Sequence, residues 1–199
     1  MRLSARSQIE GTTTKVMKGA TTRHVLVHIG NGKMRALSAV AFFTASLVAP
    51  TWAQEPLGCD KFKWPVQKEM EALRAPNLKN VAAGSDVSAV PFAGTVALVA
   101  LNDANLPKPP ERAPKSDTFA GHLSVATAAA GTYSISLSDA AWLDVLQDNR
   151  FLKPAAHSGV QGCEGIRKVV KFDLGSAPFI VQITGAPTER LNIAILPTE

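Results

Sequence analysis

Side chains equipped for chemistry are scarce in this chain. Beyond residue 53 it holds two histidines, His122 and His157, and two cysteines, Cys59 and Cys163. In that part there is no G-x-S-x-G, S-x-x-K, H-E-x-x-H, C-x-x-C or P-loop, so the familiar hydrolase, zinc-protease, thiol-redox and nucleotide-binding readings have no motif to stand on. An exported iron enzyme, such as a ring-cleaving dioxygenase of the homogentisate type, would need two histidines and a carboxylate around an open metal position. Both histidines would have to serve, and neither sits in H-x-D or H-x-E spacing. No cofactor, metal or catalytic residue is expected. The runner-up enzyme would have to gather His157, His122 or Asp144 in one pocket.

The folded part also lacks a net positive charge. The net charge of +5 comes from the first 53 residues, which hold seven Lys or Arg against Glu10 alone. The remaining 14 basic residues face 15 acidic ones. No basic stripe is left for a polyanion, which argues against nucleic acid as a partner.

The leader has its own logic. Lys33-Met34-Arg35 is a short basic stretch, Ala36 to Val48 is apolar, Pro50 breaks the run, and Thr51-Trp52-Ala53 places small residues ahead of Gln54. That layout predicts a signal peptide over 34–53 with cleavage between Ala53 and Gln54, and a periplasmic or secreted product. The apolar run falls short of the roughly 20 residues needed to span a bilayer, so no stable membrane span is expected after cleavage. Residues 1–33 read as an over-extended frame or a disordered extension. Pro56-Leu57-Gly58-Cys59 is a poor lipobox. In an oxidising compartment Cys59 and Cys163 are expected to pair, stapling the mature N-terminus to a late loop.

Residues 54–199 read as one all-β antiparallel sandwich of about seven to eight strands with one short helix. The helix segment falls within 54–76: Val66, Met70 and Leu73 recur at helical spacing behind Pro65. Phe62 and Trp64 read as packing anchors beside the disulfide. Residues 77–88 read as loop, and Phe92 to Leu101 as the first good strand. Four prolines between Leu106 and Pro114 force extended geometry, so 102–117 reads as a stiff crossover between sheets. Strands are then expected over 119–126, 166–174, 179–184 and 191–195, with 149–164 as loop.

The stretch Gly131 to Asp148 stands at the centre. Tyr133, Ile135 and Leu137 alternate with Ser134, Ser136 and Ser138, and Ser138-Asp139-Ala140 supplies turn chemistry before Trp142 to Gln147. This predicts a β-hairpin whose outward face carries Trp142 and Asp144, with Ser134 and Ser136 opposite them on the partner strand. An aromatic ringed by small polar groups suits a glycan or peptide ligand. The competing expectation is that the N-terminal helix covers Trp142.

The order G-T-Y-S-I-S-L-S, A-W-L-D-V, G-S-A-P-F-I-V-Q-I-T-G and R-L-N-I-A-I-L, over 118–197, resembles the bacterial pre-peptidase C-terminal (PPC) domain. The resemblance implies a jelly-roll-like sandwich acting as an accessory or binding module without chemistry of its own. Where that family carries a D-x-D pair this chain has Trp142 and Asp144, so the family's calcium site is not implied. The expected function is an exported, non-catalytic binding or envelope-associated module, its partner a glycan, a peptide or an envelope protein. A subunit of an envelope assembly is the alternative, marked by an exposed apolar patch or an open sheet edge.

Overall fold

The computed structural model describes residues 12–18, 23–29, 33–37, 55–126 and 129–198. The chain divides into two units, 1–52 and 53–199. In the first, Thr12–Lys18 (β1), Arg23–Ile29 (β2) and Lys33–Leu37 (β3) form a three-stranded antiparallel meander, which the reading of residues 1–33 did not include. Thr12, Thr13, Thr14, Val16, Val25, Val27 and Ile29 supply the β-branched content that strands favour. Most of the apolar run and the cleavage position at Ala53 and Gln54 lie outside the described residues.

The second unit is a sandwich of two six-stranded sheets, and its elements follow in chain order. The helix α1 (Gln67–Leu73) precedes β4 (Lys79–Ala82), β5 (Ser85–Val87), β6 (Phe92–Ala97) and β7 (Val99–Ala100). Next come β8 (Phe119–Val125), β9 (Gly131–Leu137), β10 (Trp142–Gln147) and β11 (Arg150–Phe151). The chain closes with β12 (Ala156–Gly159), β13 (Lys168–Leu174), β14 (Phe179–Ala186) and β15 (Arg190–Pro197). One sheet runs β11-β10-β14-β8-β5, with β7 also on β8; the other runs β12-β13-β9-β15-β6-β4. Pairing is antiparallel except at two edges, where β5 lies parallel to β8 and β4 parallel to β6.

The all-β sandwich expected from alternation is therefore present, with twelve strands among the described residues in place of seven or eight. The additional ones are short. β4 and β5 occupy 77–88, and β11 and β12 occupy 149–164, both expected as loop. The strand expected over Phe92–Leu101 changes sheet after Ala97 and continues as β7. Leu98, buried at that point, lets one run of apolar residues serve both sheets.

The central hairpin is corrected. β9 belongs to one sheet and β10 to the other, so Ser138–Ala141 is an arch between layers. Tyr133, Ile135 and Leu137 face Leu143 and Val145 across the core, joined by Phe172, Phe179, Val181, Ile183, Leu191, Ile193 and Ile195. Inward alternation is the same in an arch and in a hairpin, so the period of two could not tell them apart. A long-range contact fixes the arch: Asn192 N–H donates to Ser138 Oγ at 2.8 Å, and Ser138 N–H returns to Asn192 O at 3.0 Å. The true hairpin comes next, β10 to β11, where Asp148 and Asn149 take φ of 51° and 58°.

α1 packs on β15, β9 and β6, covering the outer face of the second sheet. Val66, Leu73, Val160, Ile166, Val169 and Ala194 form that smaller core, with Met70, Phe62 and Trp64 at its margin, so the expected stripe and anchors are in place. Burying Val66 and Leu73 contributes roughly 1.5–3 kcal/mol each. Cys59 and Cys163 are bonded, Cys163 in the loop between β12 and β13. The disulfide fits an oxidising, extracytoplasmic compartment. Among the described residues no helix is long and apolar enough to cross a membrane.

Candidate functional site

The proline-rich segment does not cross between sheets. It leaves β7 and returns to β8 on the same sheet, its base closed by Leu101 N–H on Thr118 O at 3.0 Å. Prolines 107, 109, 110 and 114 have no N–H to join a ladder. The intervening N–H groups instead bond to the outer face of the sheet: Lys108 N–H to Gln182 Oε1 at 3.5 Å, Glu111 N–H to Asp144 Oδ2 at 3.3 Å. The segment is a strap lying over β10 and β14.

What it covers is polar. The register sets Trp142 beside Thr184, Asp144 beside Gln182, and Gln182 beside His122. Asp144, Gln182 and Thr184 are buried, and Trp142 is half-buried. Trp142 Nε1–H donates to Asp144 Oδ1 at 2.7 Å. The Arg112 guanidinium lies 5.3 Å from the indole and the Lys168 ammonium 5.5 Å from it, distances at which cations are attracted to the ring.

Of the four residues expected to form a binding face, Trp142 and Asp144 stay together. Ser134 and Ser136 do not join them. Both are buried on the second sheet, where Ser136 stands beside Val169 and Ala194 beneath α1. The correction follows from the arch, which sends β9 and β10 to different layers. The expectation that the helix covers Trp142 is corrected for the same reason: the cover is the strap.

The strap leaves a cleft of about 510 Å³ beside Trp142. Arg112, Lys115, Arg167 and Lys168 line it, against Glu55 and Asp117. Thr184 is a further wall; its Oγ1 is buried without a hydrogen-bond partner, a state that costs about 1–3 kcal/mol in a closed interior. Arg112, Arg167, Lys168 and Thr184 were missed in the sequence. Arg112 reads there as linker, Lys168 as one residue of a strand, and only the topology joins them. The one available signal was the polar alternation of Gln182 and Thr184 in an otherwise apolar strand.

Electrostatics in the cleft are unbalanced. Burial, with Arg167 and Arg112 nearby, pushes the Lys168 ammonium below its usual range, and its Nζ–H donates to Ala141 O at 2.7 Å. Burial likewise lowers Arg167. Replacing Lys168 by Met should therefore raise stability by ~0.5–1 kcal/mol, because an incompletely compensated cation becomes a packed apolar chain. A lowered urea midpoint would contradict that.

Asp144 is shifted in the opposite sense to most carboxylates. Burial raises its pKa, and the Trp142 and Glu111 hydrogen bonds only partly offset this. A raised folded pKa means the folded chain holds the proton more tightly than the unfolded chain. The stabilising contribution is full below the unfolded value of 3.8 and is lost as pH rises through the raised folded value. The stability of the wild type relative to Asp144→Asn should fall over that acid window. Urea melts of both proteins across it test this, and a difference independent of pH would contradict it.

The two histidines stand apart. His122 is on β8 beside Gly84, held below its usual pKa mainly by burial, and His157 is on β12 of the other sheet. Among the described residues no three His, Cys, Asp or Glu side chains gather as a metal site. The exposed large apolar residues among them are Leu57 and Val99. No protein-family model, curated protein or solved structure matches this chain.

Proposed function

We propose that this chain is an exported, non-catalytic binding module whose ligand sits in the strap cleft at Trp142. One observation carries the reading. A half-buried indole, flanked by two cations and hydrogen-bonded to a buried carboxylate, forms the wall of an open cleft beside an unpartnered hydroxyl. Ligand sites combine apolar walls with a few convergent polar groups in this way. Export is supported by the leader layout and by the disulfide, and the module acts in the periplasm or outside the cell.

Intact mass of untagged protein recovered from the periplasm tests export. The expected chain starts at Gln54 and is two hydrogens lighter than its reduced form. A chain retaining 34–53, or one with free thiols, would count against it. Screening the same material against glycan and peptide panels tests binding. A hit should be lost in Trp142→Ala, and a hit indifferent to that change would place the site elsewhere.

A further inference from the structure

The cleft's chemistry narrows the ligand, given the reading of it as the binding site. Four cations and two carboxylates line it, and among the described residues neither Arg112 nor Lys168 has a carboxylate partner. Arg112 is exposed on the strap, against the Trp142 ring, while Lys168 is half-buried at the start of β13. The cleft is thus a concentration of positive charge on a unit whose overall balance is slightly negative.

One of its two carboxylates comes from far away in sequence. Glu55 pairs with Arg167 across 112 residues. Its arm is held in place: Gln161 N–H donates to Pro56 O at 2.8 Å, Gly58 N–H to Gln161 O at 2.8 Å, and Cys59 is bonded to Cys163. The Glu55 side chain stays exposed while Arg167 is mostly covered. An exposed carboxylate from the protein's own N-terminal arm therefore stands at the cleft wall, making the contact that an anionic guest would make.

We propose that the strap cleft binds a small molecule through its carboxylate or phosphate group. Arg112, Arg167 and Lys168 supply the charge, Thr184 Oγ1–H supplies a buried donor, and Glu55 acts as an internal competitor. Three facts, each independent of the others, support it. Arg112 and Lys168 converge on Trp142 with no carboxylate partner among the described residues. The Thr184 hydroxyl is fully buried yet unpartnered. An internal carboxylate already occupies one of the guanidinium groups. Charge-assisted hydrogen bonds to carboxylate and phosphate are the strong ones, and a guanidinium fork suits either.

The test is calorimetric titration of the full, untagged, disulfide-intact protein with glucuronate, glucose 6-phosphate and glucose. These probes share a sugar body and differ in charge. The expected result is saturable binding of one or both anions, with neutral glucose about tenfold weaker or worse. Whichever anion binds tighter identifies the source, carboxylate or phosphate. Binding should weaken with added salt, by about tenfold in Lys168→Met and several-fold in Thr184→Val. Glu55→Gln should tighten it several-fold, since the competitor is gone.

Glucose binding as tightly as the anions would overturn the anionic assignment and leave the cleft standing as a site, as Trp142→Ala then shows. Anion binding untouched by Lys168→Met and Glu55→Gln would overturn it by placing the anion elsewhere. Failure of all three probes to bind would overturn it outright. Should Lys168→Met or Thr184→Val fail to fold, Glu55→Gln, on an exposed arm, still decides.

Discussion

Replacing Cys59 and Cys163 together by Ala is expected to lower unfolding free energy by about 4–5 kcal/mol. The bond closes a loop spanning 104 residues, and in the chain-entropy model a loop of that size restricts the unfolded chain by roughly that amount. A domain of this size has only about 5–15 kcal/mol in hand, so the loss is a large share. There is a local consequence as well. Cys163 packs with Val160 and Ile166 in the core under α1, and the bond anchors the arm that carries Glu55 to Arg167. Urea titration of the variant beside the oxidised wild type gives the figure. A loss under 1 kcal/mol would mean that the arm and α1 are held by packing alone.

Phe172→Ala is expected to cost about 3–5 kcal/mol. Phe172 is fully buried on β13, a strand flanked by β12 and β9, and its register partner is Tyr133. Its neighbours in the core come from both sheets, so truncation opens a cavity between layers that the strands, fixed by their ladders, cannot close. The urea midpoint should fall with the slope unchanged. A cost near 1 kcal/mol would mean that the sheets approach to fill the space.

These two sites show what the sequence carries and what it leaves open. Val170, Phe172 and Leu174 alternate clearly, and all three point into the core as expected. The pairing of the cysteines followed from compartment and number. Pairing between strands is another matter. Tyr133-Ile135-Leu137 and Leu143-Val145 mark two faces that must meet apolar neighbours, which is satisfied equally by a hairpin or by an arch. The choice rests on Asn192, more than fifty residues onward. Strands of two to four residues, such as β5 and β11, are too short to display any period.

The site was half legible. Trp142 and Asp144 are two apart on one strand, so their common face is a local fact. Ser134 and Ser136 were placed with them through a pairing that does not exist. Arg112 meets Trp142 only because the strap returns to its own sheet. Lys168 meets it only because β13 begins near the arch at Ala141. Such meetings depend on strand order, which one sequence does not encode in any local pattern.

The measurement closest to the central claim is the indole N–H spectrum of the ¹⁵N-labelled protein during titration with glucuronate and with inorganic phosphate. The Trp142 signal would be assigned through Trp142→Phe. Trp64 serves as the internal control, since it lines a separate depression of about 370 Å³ beside Lys171 on the other sheet. The account predicts that the Trp142 signal moves saturably with at least one of the two anions and that the Trp64 signal stays still. Movement of Trp64 alone, or of neither, would contradict the strap cleft as the binding site.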